Sequence, residues 1–222
     1  MNEVFNFKQE GITFLGGGLV QNKDLVAAMK LAPNLIVADG AADIAIKNNV
    51  IPYAAIGDMD SISKDFFDQY SSVKKMEILE QDSTDFEKCL RKVNAKFAIA
   101  IGFLGARLDH ELAAFNAIAS HNKYPVLLIG EEDVIFSCPD ILNLYLPIGT
   151  RVSLFPLKNI NVSTEGLYWN LYNEKLSPLE RIGTSNRSSN HQVTVKIDNQ
   201  GLLVILPKLF ISNVLDAILE QI

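Results

Sequence analysis

Short apolar runs alternate with segments of helix length over residues 1–130. Six of these runs look like strands. Strands separated by helix-length segments indicate a mostly parallel sheet that is buried on both faces. We therefore predict an α/β domain over residues 1–130. The predicted strands are Ile12–Leu15, Leu35–Ala38, Ala54–Ile56, Met76–Leu79, Phe97–Ile101 and Val126–Ile129.

The segments between these strands carry helix signals. Ser63 is predicted to cap a helix that runs through Tyr70. Thr84-Asp85-Phe86-Glu87 forms a capping box, and a buried stripe follows it at helical spacing. The residues of that stripe are Phe86, Leu90 and Val93, and a later stripe consists of Leu108, Leu112, Phe115 and Ala119.

Helical periodicity largely disappears after Gly130, and short β-type runs separated by Gly and Pro replace it. Alternation of apolar and polar residues over Val193–Ile197 is typical of a half-buried strand. We predict an antiparallel β-sandwich domain over residues 131–222, ending in a short helix over 213–222. The predicted strands are Val134–Phe136, Leu142–Leu146, Val152–Phe155, Leu167–Leu171, Val193–Ile197 and Leu202–Leu206.

Acidic segments follow four of the predicted strands. Ligands of an open α/β sheet bind outside the carboxyl ends of its strands, so these carboxylates are expected to meet at one edge. Two carboxylates about 5 Å apart repel by roughly 3 kcal/mol at an effective dielectric constant of 20, and a divalent cation usually offsets this. Oxygen ligands favour Mg²⁺, which leaves positions for phosphate oxygens, so we predict a Mg²⁺-dependent enzyme acting on a nucleotide. The segments are Asp39-Gly40, Gly57-Asp58-Met59-Asp60-Ser61, Gln81-Asp82-Ser83-Thr84-Asp85 and Arg107-Leu108-Asp109-His110.

Each segment also has a purely structural interpretation. An isolated Asp-x-Asp is usually a solvated turn, but Gly57 and the preceding strand favour a cation bridged by Asp58 and Asp60. Thr84 and Asp85 suit a helix cap, and equally a helix start that holds a phosphate while Asp85 binds metal. These two alternatives stay open.

Two further features have competing interpretations. Arg107 is suited to a bidentate phosphate contact, and it also suits a surface pair with Asp109. Trp169 lies on a predicted strand, where a lone Trp is more often core than ligand platform, and residues 184–190 resemble an ordinary polar loop. The glycines at 16–18 match neither the P-loop nor the dinucleotide fingerprint, so no nicotinamide cofactor is indicated.

Composition restricts the class of protein. The net charge of −6 argues against a nucleic-acid binder, and no segment is as long and apolar as a membrane span. The first seven residues lack the features of a signal peptide. Cys89 and Cys138 have no metal-type spacing and are expected to be reduced packing residues. We therefore expect a cytoplasmic protein.

Taken together, these motifs resemble the thiamine pyrophosphokinase family. The segment Gln81–Leu90 is the most specific match, and the matching segments occur in family order over nearly the whole chain. The others are Asp39–Ala42, Gly57–Ile62, Gly105–His110, Ser153–Leu157, Gly166–Leu171 and Thr184–Asn186. The resemblance implies an α/β domain and a β-sandwich assembled as a homodimer. It also implies transfer of the pyrophosphoryl group of ATP to the hydroxyl of thiamine, which gives thiamine diphosphate and AMP.

The resemblance implies roles for individual residues. Asp58, Asp60 and Asp85 would bind Mg²⁺. The residues that would hold ATP are Asp39, Gln81, Thr84 and Arg107, with Asp109 near the reacting phosphates. The residues that would contact thiamine are Trp169, Ser185 and Asn186, and the active sites would span the dimer interface. Two positions depart from the family pattern, because Ala106 stands where glycine is usual and Asp43 where asparagine is frequent.

Two other functions stay open at this point. A pterin pyrophosphokinase of similar sheet architecture would run the same chemistry on another acceptor, but the β-sandwich with Trp169 argues against it. A non-catalytic sensor of nucleotide or thiamine is the second, and the intact acidic segments argue against that.

Overall fold

The computed structural model describes residues 4–220 and divides into two compact units. The first unit extends to Glu131, apart from Ile118–Ser120. The second unit consists of those three residues and the chain from Glu132 onward.

Among the described residues, the first unit contains six strands in one parallel sheet. The strands are β1 (Phe5–Leu15), β2 (Asn34–Ala38), β3 (Ala54–Gly57), β4 (Lys74–Glu77), β5 (Val93–Ile101) and β6 (Val126–Ile129). Their order across the sheet is β6-β5-β1-β2-β3-β4, so the direction of winding reverses between β1 and β5. Ligands bind at such a switch point. The predicted α/β class is confirmed.

Helices connect the strands of this sheet. They are α1 (Asn22–Leu31), α2 (Ala41–Lys47), α3 (Phe66–Gln69), α4 (Asp85–Lys92) and α5 (Leu108–Ser120). The carboxyl-terminal parts of β1 and β5 are buried, as a sheet covered on both faces requires. Phe14, Ile36 and Ile99 have no exposed surface, which explains why the strands read as continuous apolar runs.

The second unit is built from antiparallel pairs, which confirms the predicted β-architecture. Its strands are β7 (Asp133–Ser137), β8 (Ile141–Tyr145), β9 (Arg151–Pro156), β10 (Ile160–Glu165), β11 (Glu174–Leu176), β12 (Gly183–Arg187), β13 (Gln192–Ile197) and β14 (Leu202–Pro207). They pair in the orders β12-β9-β14-β7 and β11-β10-β13-β8. A 3₁₀ turn (Lys208–Phe210) and helix α6 (Ile211–Leu219) follow. The tail helix was predicted over 213–222, and the observed helix α6 starts two residues earlier, at Ile211. Residues 221–222 of that prediction lie outside the described residues.

The predicted strand Leu167–Leu171 is wrong. Only Leu167 forms an isolated bridge, to Ser188, and the rest of the segment is a loop. Gly166 has φ +79°, and a Cβ there would lie 2.0 Å from the carbonyl oxygen of Gln192, so the chain turns at this glycine. Trp169 is consequently 57% exposed, so the alternative interpretation in which it belongs to the core does not hold.

Other sequence predictions were wrong in detail. The helix predicted from Ser63 spans only Phe66–Gln69, and Val93 begins β5 instead of ending α4. The helical spacing of Leu108, Leu112, Phe115 and Ala119 is confirmed by α5, although Leu108 and Leu112 are 70% and 59% exposed. Three strands were not predicted because polar residues dominate them, namely β10, β11 and β12.

Both cysteines behave as packing residues. Cys89 and Cys138 are free and buried, and burial raises the pKa of each thiol well above its ordinary value. In the part of the chain that the structure describes, no helix has the length and apolar character needed to span a bilayer.

Candidate active site

A cleft of about 470 Å³ lies at the carboxyl ends of β1, β2 and β5. It is bounded by the loops after these strands and by residues of helices α2, α4 and α5. The polar or glycine positions that line it are Gly16–Gly18, Asp39, Gly40, Ser61, Thr84, Asp85, Gly102, Arg107 and His110. The acidic segments after separate strands thus converge at one edge of the sheet, as the sequence predicted.

Glycines form one wall of this cleft because two backbones approach closely there. The N–H groups of Gly16 and Gly18 donate to the carbonyl oxygens of Ile101 and Gly102 at 2.8 and 2.7 Å. A Cβ on Gly16 would lie 2.5 Å from the Gly102 oxygen, and one on Gly18 would lie 2.7 Å from it. No side chain fits at either position, so the loop after β1 keeps its backbone open to the cleft.

Asp39, Asp58 and Asp60 form a compact group of carboxylates. Their oxygens lie within 4.8 Å of one another. Asp39 follows β2 and the other two follow β3, and these strands are paired neighbours. Asp39 has φ +41°, and Met59 between the other two has φ +67°, both of which are uncommon for residues with side chains. Such local strain is often found at functional sites.

Asp39 is the buried member of this group. It is 7% exposed, and its Oδ1 has no hydrogen-bond partner among the described residues. Burial raises the pKa of Asp39 above its ordinary value; the neighbouring Ser61 hydroxyl and Gly40 backbone oppose this, and the charges of Asp85 and Asp58 add to it. A buried carboxylate oxygen without a donor is suited to a partner from outside the protein chain, such as a water molecule or a cation.

Gln81 and Ser61 orient the other two carboxylates. Nε2 of Gln81 donates to Oδ2 of Asp58 at 3.0 Å, and this bond is the main cause that lowers the pKa of Asp58. Oγ of Ser61 donates to Oδ1 of Asp60 at 2.8 Å. The structure thus gives Gln81, predicted to hold ATP, a contact with a predicted metal ligand.

Thr84 caps helix α4, as the structural interpretation of the segment around Thr84 and Asp85 predicts. Thr84 and Glu87 form the predicted capping box, in which the Thr84 N–H donates to Oε2 of Glu87 at 2.8 Å. The box uses the N–H groups of Thr84 and Glu87, which leaves those of Asp85 and Phe86 at a helix start that borders the cleft. Oδ1 of Asp85 accepts a bond from Lys88 at 3.1 Å.

The donor set fits a hard divalent cation. Three carboxylates converge, one of them has an orphaned buried oxygen, and Mg²⁺ prefers oxygen ligands. The group contains Asp39, predicted to hold ATP, and does not contain Asp85, predicted to bind metal. The proximity of Asp39 depends on the pairing of β2 with β3, which local sequence patterns do not specify.

Arg107 and Asp109 form a bidentate pair at the start of α5. Nε and Nη2 of Arg107 donate to the two carboxylate oxygens of Asp109 at 3.1 and 2.6 Å. The pair raises the pKa of Arg107 and lowers that of Asp109. Both side chains are mostly exposed, and Arg107 borders the cleft. A phosphate at Arg107 would have to share the guanidinium with Asp109.

The predicted thiamine residues lie together in the second unit. Nδ2 of Asn186 donates to the Trp169 carbonyl oxygen at 2.7 Å, and the Trp169 N–H donates to Oδ1 of Asn186 at 3.2 Å. Asn186 is 9% exposed and fixes the loop that carries the Trp169 ring. Ser185 is exposed at φ +61°, and its N–H donates to Oγ of Ser153 at 3.0 Å.

Two family models match the chain in the order of these units. The catalytic domain of thiamin pyrophosphokinase matches residues 26–128, and the vitamin B1 binding domain of thiamin pyrophosphokinase matches residues 141–202. The chain belongs to the thiamine pyrophosphokinase family.

Thiamine pyrophosphokinase 2 of Arabidopsis thaliana is 30% identical over 179 residues, which is 72% of this chain and 67% of the relative. Thiamine pyrophosphokinase 1 of the same plant is 29% identical over 181 residues, 73% and 68% of the two chains.

Solved structures of this family share the fold. Thiamin pyrophosphokinase from Candida albicans matches with a TM-score of 0.74 at 17% identity, over 92% of this chain and 93% of that one. The yeast enzyme matches with the same TM-score and identity over 97% and 94%. Thiamine pyrophosphokinase from Bacillus subtilis gives a TM-score of 0.70 at 20% identity over 89% and 98%.

We predict that Gly57→Ala will disrupt the carboxylate group. The added Cβ would lie 2.7 Å from Cβ of Asp39, so one of the two strand ends has to move. We expect Mg²⁺ affinity to fall by about tenfold, because displaced ligands and their supports typically cost that much. Isothermal titration with Mg²⁺ measures it, and unchanged affinity would contradict the role of Asp39. Gly17→Ala is the packing control, because its Cβ meets no atom within 4 Å and the melting temperature should not change.

Proposed function

We propose that this protein is a thiamine pyrophosphokinase, which transfers the pyrophosphoryl group of ATP to the hydroxyl of thiamine. The observation that carries the proposal is a group of three carboxylates in a glycine-walled cleft at the switch point of the sheet, in a chain of this family. The hydroxyl oxygen of thiamine attacks the β-phosphorus of ATP, and the hydroxyl proton is lost to solvent water. The bond from that phosphorus to the bridging oxygen of the α-phosphate breaks, and AMP leaves with that oxygen.

Positioning and charge neutralisation account for most of such chemistry. Bound Mg²⁺ would neutralise phosphate charge, and Asp58 and Asp60 would hold it together with Asp85 or Asp39. The helix start at Asp85 and Phe86 offers N–H donors to phosphate oxygens. Gln81, Thr84 and Arg107 complete the ATP site in this proposal.

Asp109 is proposed to orient Arg107 and not to accept the proton of thiamine. Two hydrogen bonds from Arg107 lower its pKa, which makes its carboxylate a weak base. A base works best when its pKa lies near the working pH, and Asp109 is shifted away from it. Its role near the phosphates is then to fix the planar guanidinium for bidentate contact.

The first test is formation of AMP from ATP, Mg²⁺ and thiamine by the wild type and by Asp60→Asn. We expect the variant to lose about 100-fold or more in kcat/KM, because a misplaced metal forfeits several kcal/mol of charge stabilisation. Its melting temperature should not fall, since one repulsive charge is removed. Asp68→Asn, an exposed change of equal charge on α3, should keep full activity. Full activity of Asp60→Asn would remove Asp60 from the site, and no AMP from the wild type would refute the function.

The second test concerns Trp169, whose exposed ring we propose to stack on the pyrimidine of thiamine. Trp169→Leu should raise the KM for thiamine by about tenfold, the upper range for aromatic stacking, and leave the KM for ATP unchanged. Because the ring is 57% exposed, stability should fall by about 1 kcal/mol or less. Tyr172→Leu, at a residue 77% exposed in the same unit, is the matched control. An unchanged KM for thiamine would exclude Trp169 as the residue that stacks on the pyrimidine.

We also propose a cytoplasmic homodimer in which each active site combines the acidic cleft of one subunit with Trp169, Ser185 and Asn186 of the other. The family resemblance supports this assembly. The exposed ring of Trp169, held by a buried asparagine, is consistent with a surface that meets another molecule.

Mixing two impaired subunits tests this arrangement, at a thiamine concentration well below the wild-type KM, where Trp169→Leu alone should keep about a tenth of the activity. Co-refolded Asp60→Asn and Trp169→Leu subunits form mixed dimers that retain one intact site, if sites are shared across the interface. We expect about a quarter of wild-type activity, because half of randomly formed twofold dimers are mixed and each has one of two sites. No recovery above the separate variants would show that each site belongs to one subunit or that the chain is monomeric.

A further inference from the structure

Lys88 is a buried lysine beside the carboxylate group, and nothing above assigns it a role. It lies on α4, and its side chain is 3% exposed. Lysine is almost never fully buried unless it is paired, because removing an ammonium from water is costly. Its Nζ donates to Oδ1 of Asp85 at 3.1 Å, and Asp85 is itself 36% exposed. One partly solvated carboxylate is modest compensation for a buried cation.

The charge of Lys88 reaches further than this one bond. Its positive charge is among the causes that lower the pKa of Asp58, after the hydrogen bond from Gln81. Asp85 and Asp58 in turn act on Asp39 across the cleft, since their charges help to raise its pKa. Asp39 and Asp85 line the same cleft, and one oxygen each of Asp39, Asp58 and Asp60 lie within 4.8 Å of one another. These four carboxylates and Lys88, which is bonded to Asp85, therefore form one acidic cluster with a buried cation.

We propose that Lys88 is a positioning residue that serves as a built-in counter-charge for the acidic cluster when no metal is bound. This inference rests on the proposed Mg²⁺ site. The ammonium offsets the repulsion among Asp39, Asp58, Asp60 and Asp85, so the cluster stays assembled in the metal-free protein. The cluster in turn compensates the burial of Lys88.

The proposal has a thermodynamic consequence that a packing role does not. A fixed positive charge competes with a cation for the same carboxylates, so it stabilises the metal-free state and weakens metal binding. Removing the charge should therefore destabilise the metal-free protein and tighten its hold on Mg²⁺. A residue that only fills space would change stability equally with and without Mg²⁺.

The experiment compares Lys88→Met and Lys88→Gln with the wild type in the full chain. Glutamine keeps an N–H donor for Asp85 and methionine keeps the length, but neither keeps the charge. We expect both variants to melt several degrees lower in EDTA, to recover in excess Mg²⁺, and to bind Mg²⁺ about tenfold more tightly by calorimetry. Lys175→Met is the control, since Lys175 pairs with Glu180 at the same 3.1 Å but lies in the second unit with its side chain 52% exposed. It should leave the Mg²⁺ response unchanged.

Three results would overturn the proposal. They are an equal loss of melting temperature in EDTA and in Mg²⁺, Mg²⁺ affinity that is unchanged or weaker, and wild-type behaviour of Lys88→Gln. If the single Lys88 variants do not fold, Asp85→Asn and the double variant Asp85→Asn/Lys88→Met replace them. In EDTA the double variant should melt lower than Asp85→Asn, because the repulsion among the three remaining carboxylates then has no counter-charge, and excess Mg²⁺ should remove the difference. Equal melting temperatures would also overturn the proposal.

Failure of this inference is distinguishable from failure of the proposed function. A wild type that forms AMP and binds Mg²⁺, with Lys88 variants that respond to Mg²⁺ as it does, refutes only the counter-charge. A wild type that binds Mg²⁺ but forms no AMP refutes only the function.

Discussion

Mutual repulsion among carboxylates is the constraint on which the site depends. A parallel sheet directs the carboxyl ends of its strands to one edge, so any acidic residue placed there meets the others. This repulsion acts among Asp39, Asp58 and Asp60, since one carboxylate oxygen of each lies within 4.8 Å of those of the other two. Hydrogen bonds from Gln81 and Ser61 stabilise two of the three, and the third keeps a buried oxygen without a donor. A site arranged in this way is suited to the cation that we propose.

The backbone is strained where the site requires it. Among the described residues, five that are not glycine have positive φ, and three of them are Asp39, Met59 and Ser185. Each costs of order 1 kcal/mol and persists because the surrounding structure determines it. The Asp39 N–H donates to the Ile56 oxygen at 2.9 Å, and Gly57 leaves room for the Asp39 side chain. The positive φ of Asp39 and its close packing against Gly57 together place the Asp39 carboxylate in the group with Asp58 and Asp60.

How much the sequence could predict depended on the range of the interactions. The capping box of Thr84 and Glu87 involves residues three apart, so the motif was sufficient. Five strands of the first unit were predictable because continuous apolar runs have few other uses, whereas the mostly exposed β4 begins two residues before its predicted start at Met76. The membership of Asp39 in the carboxylate group required the pairing of β2 with β3, and the burial of Lys88 required the packing of α4, where an amphipathic pattern would place lysine in water. Tertiary contacts decided both.

Trp169 shows why the second unit was the harder one to predict. Its apolar neighbours suggested a strand, but Gly166 turns the chain. The side-chain oxygens of Asn170 and Asn186 accept hydrogen bonds from the N–H groups of Leu167 and Trp169, which a neighbouring strand would otherwise have accepted. Asn186 belongs to β12, a polar segment that resembled a loop. The side-chain amides of Asn170, three residues from Leu167, and of Asn186, 17 residues from Trp169, thus replaced the strand ladder and left the indole exposed. An exposed ring on a loop that a buried asparagine fixes is held where a ligand can stack on it, and this connects a local failure of strand patterning with the proposed thiamine site.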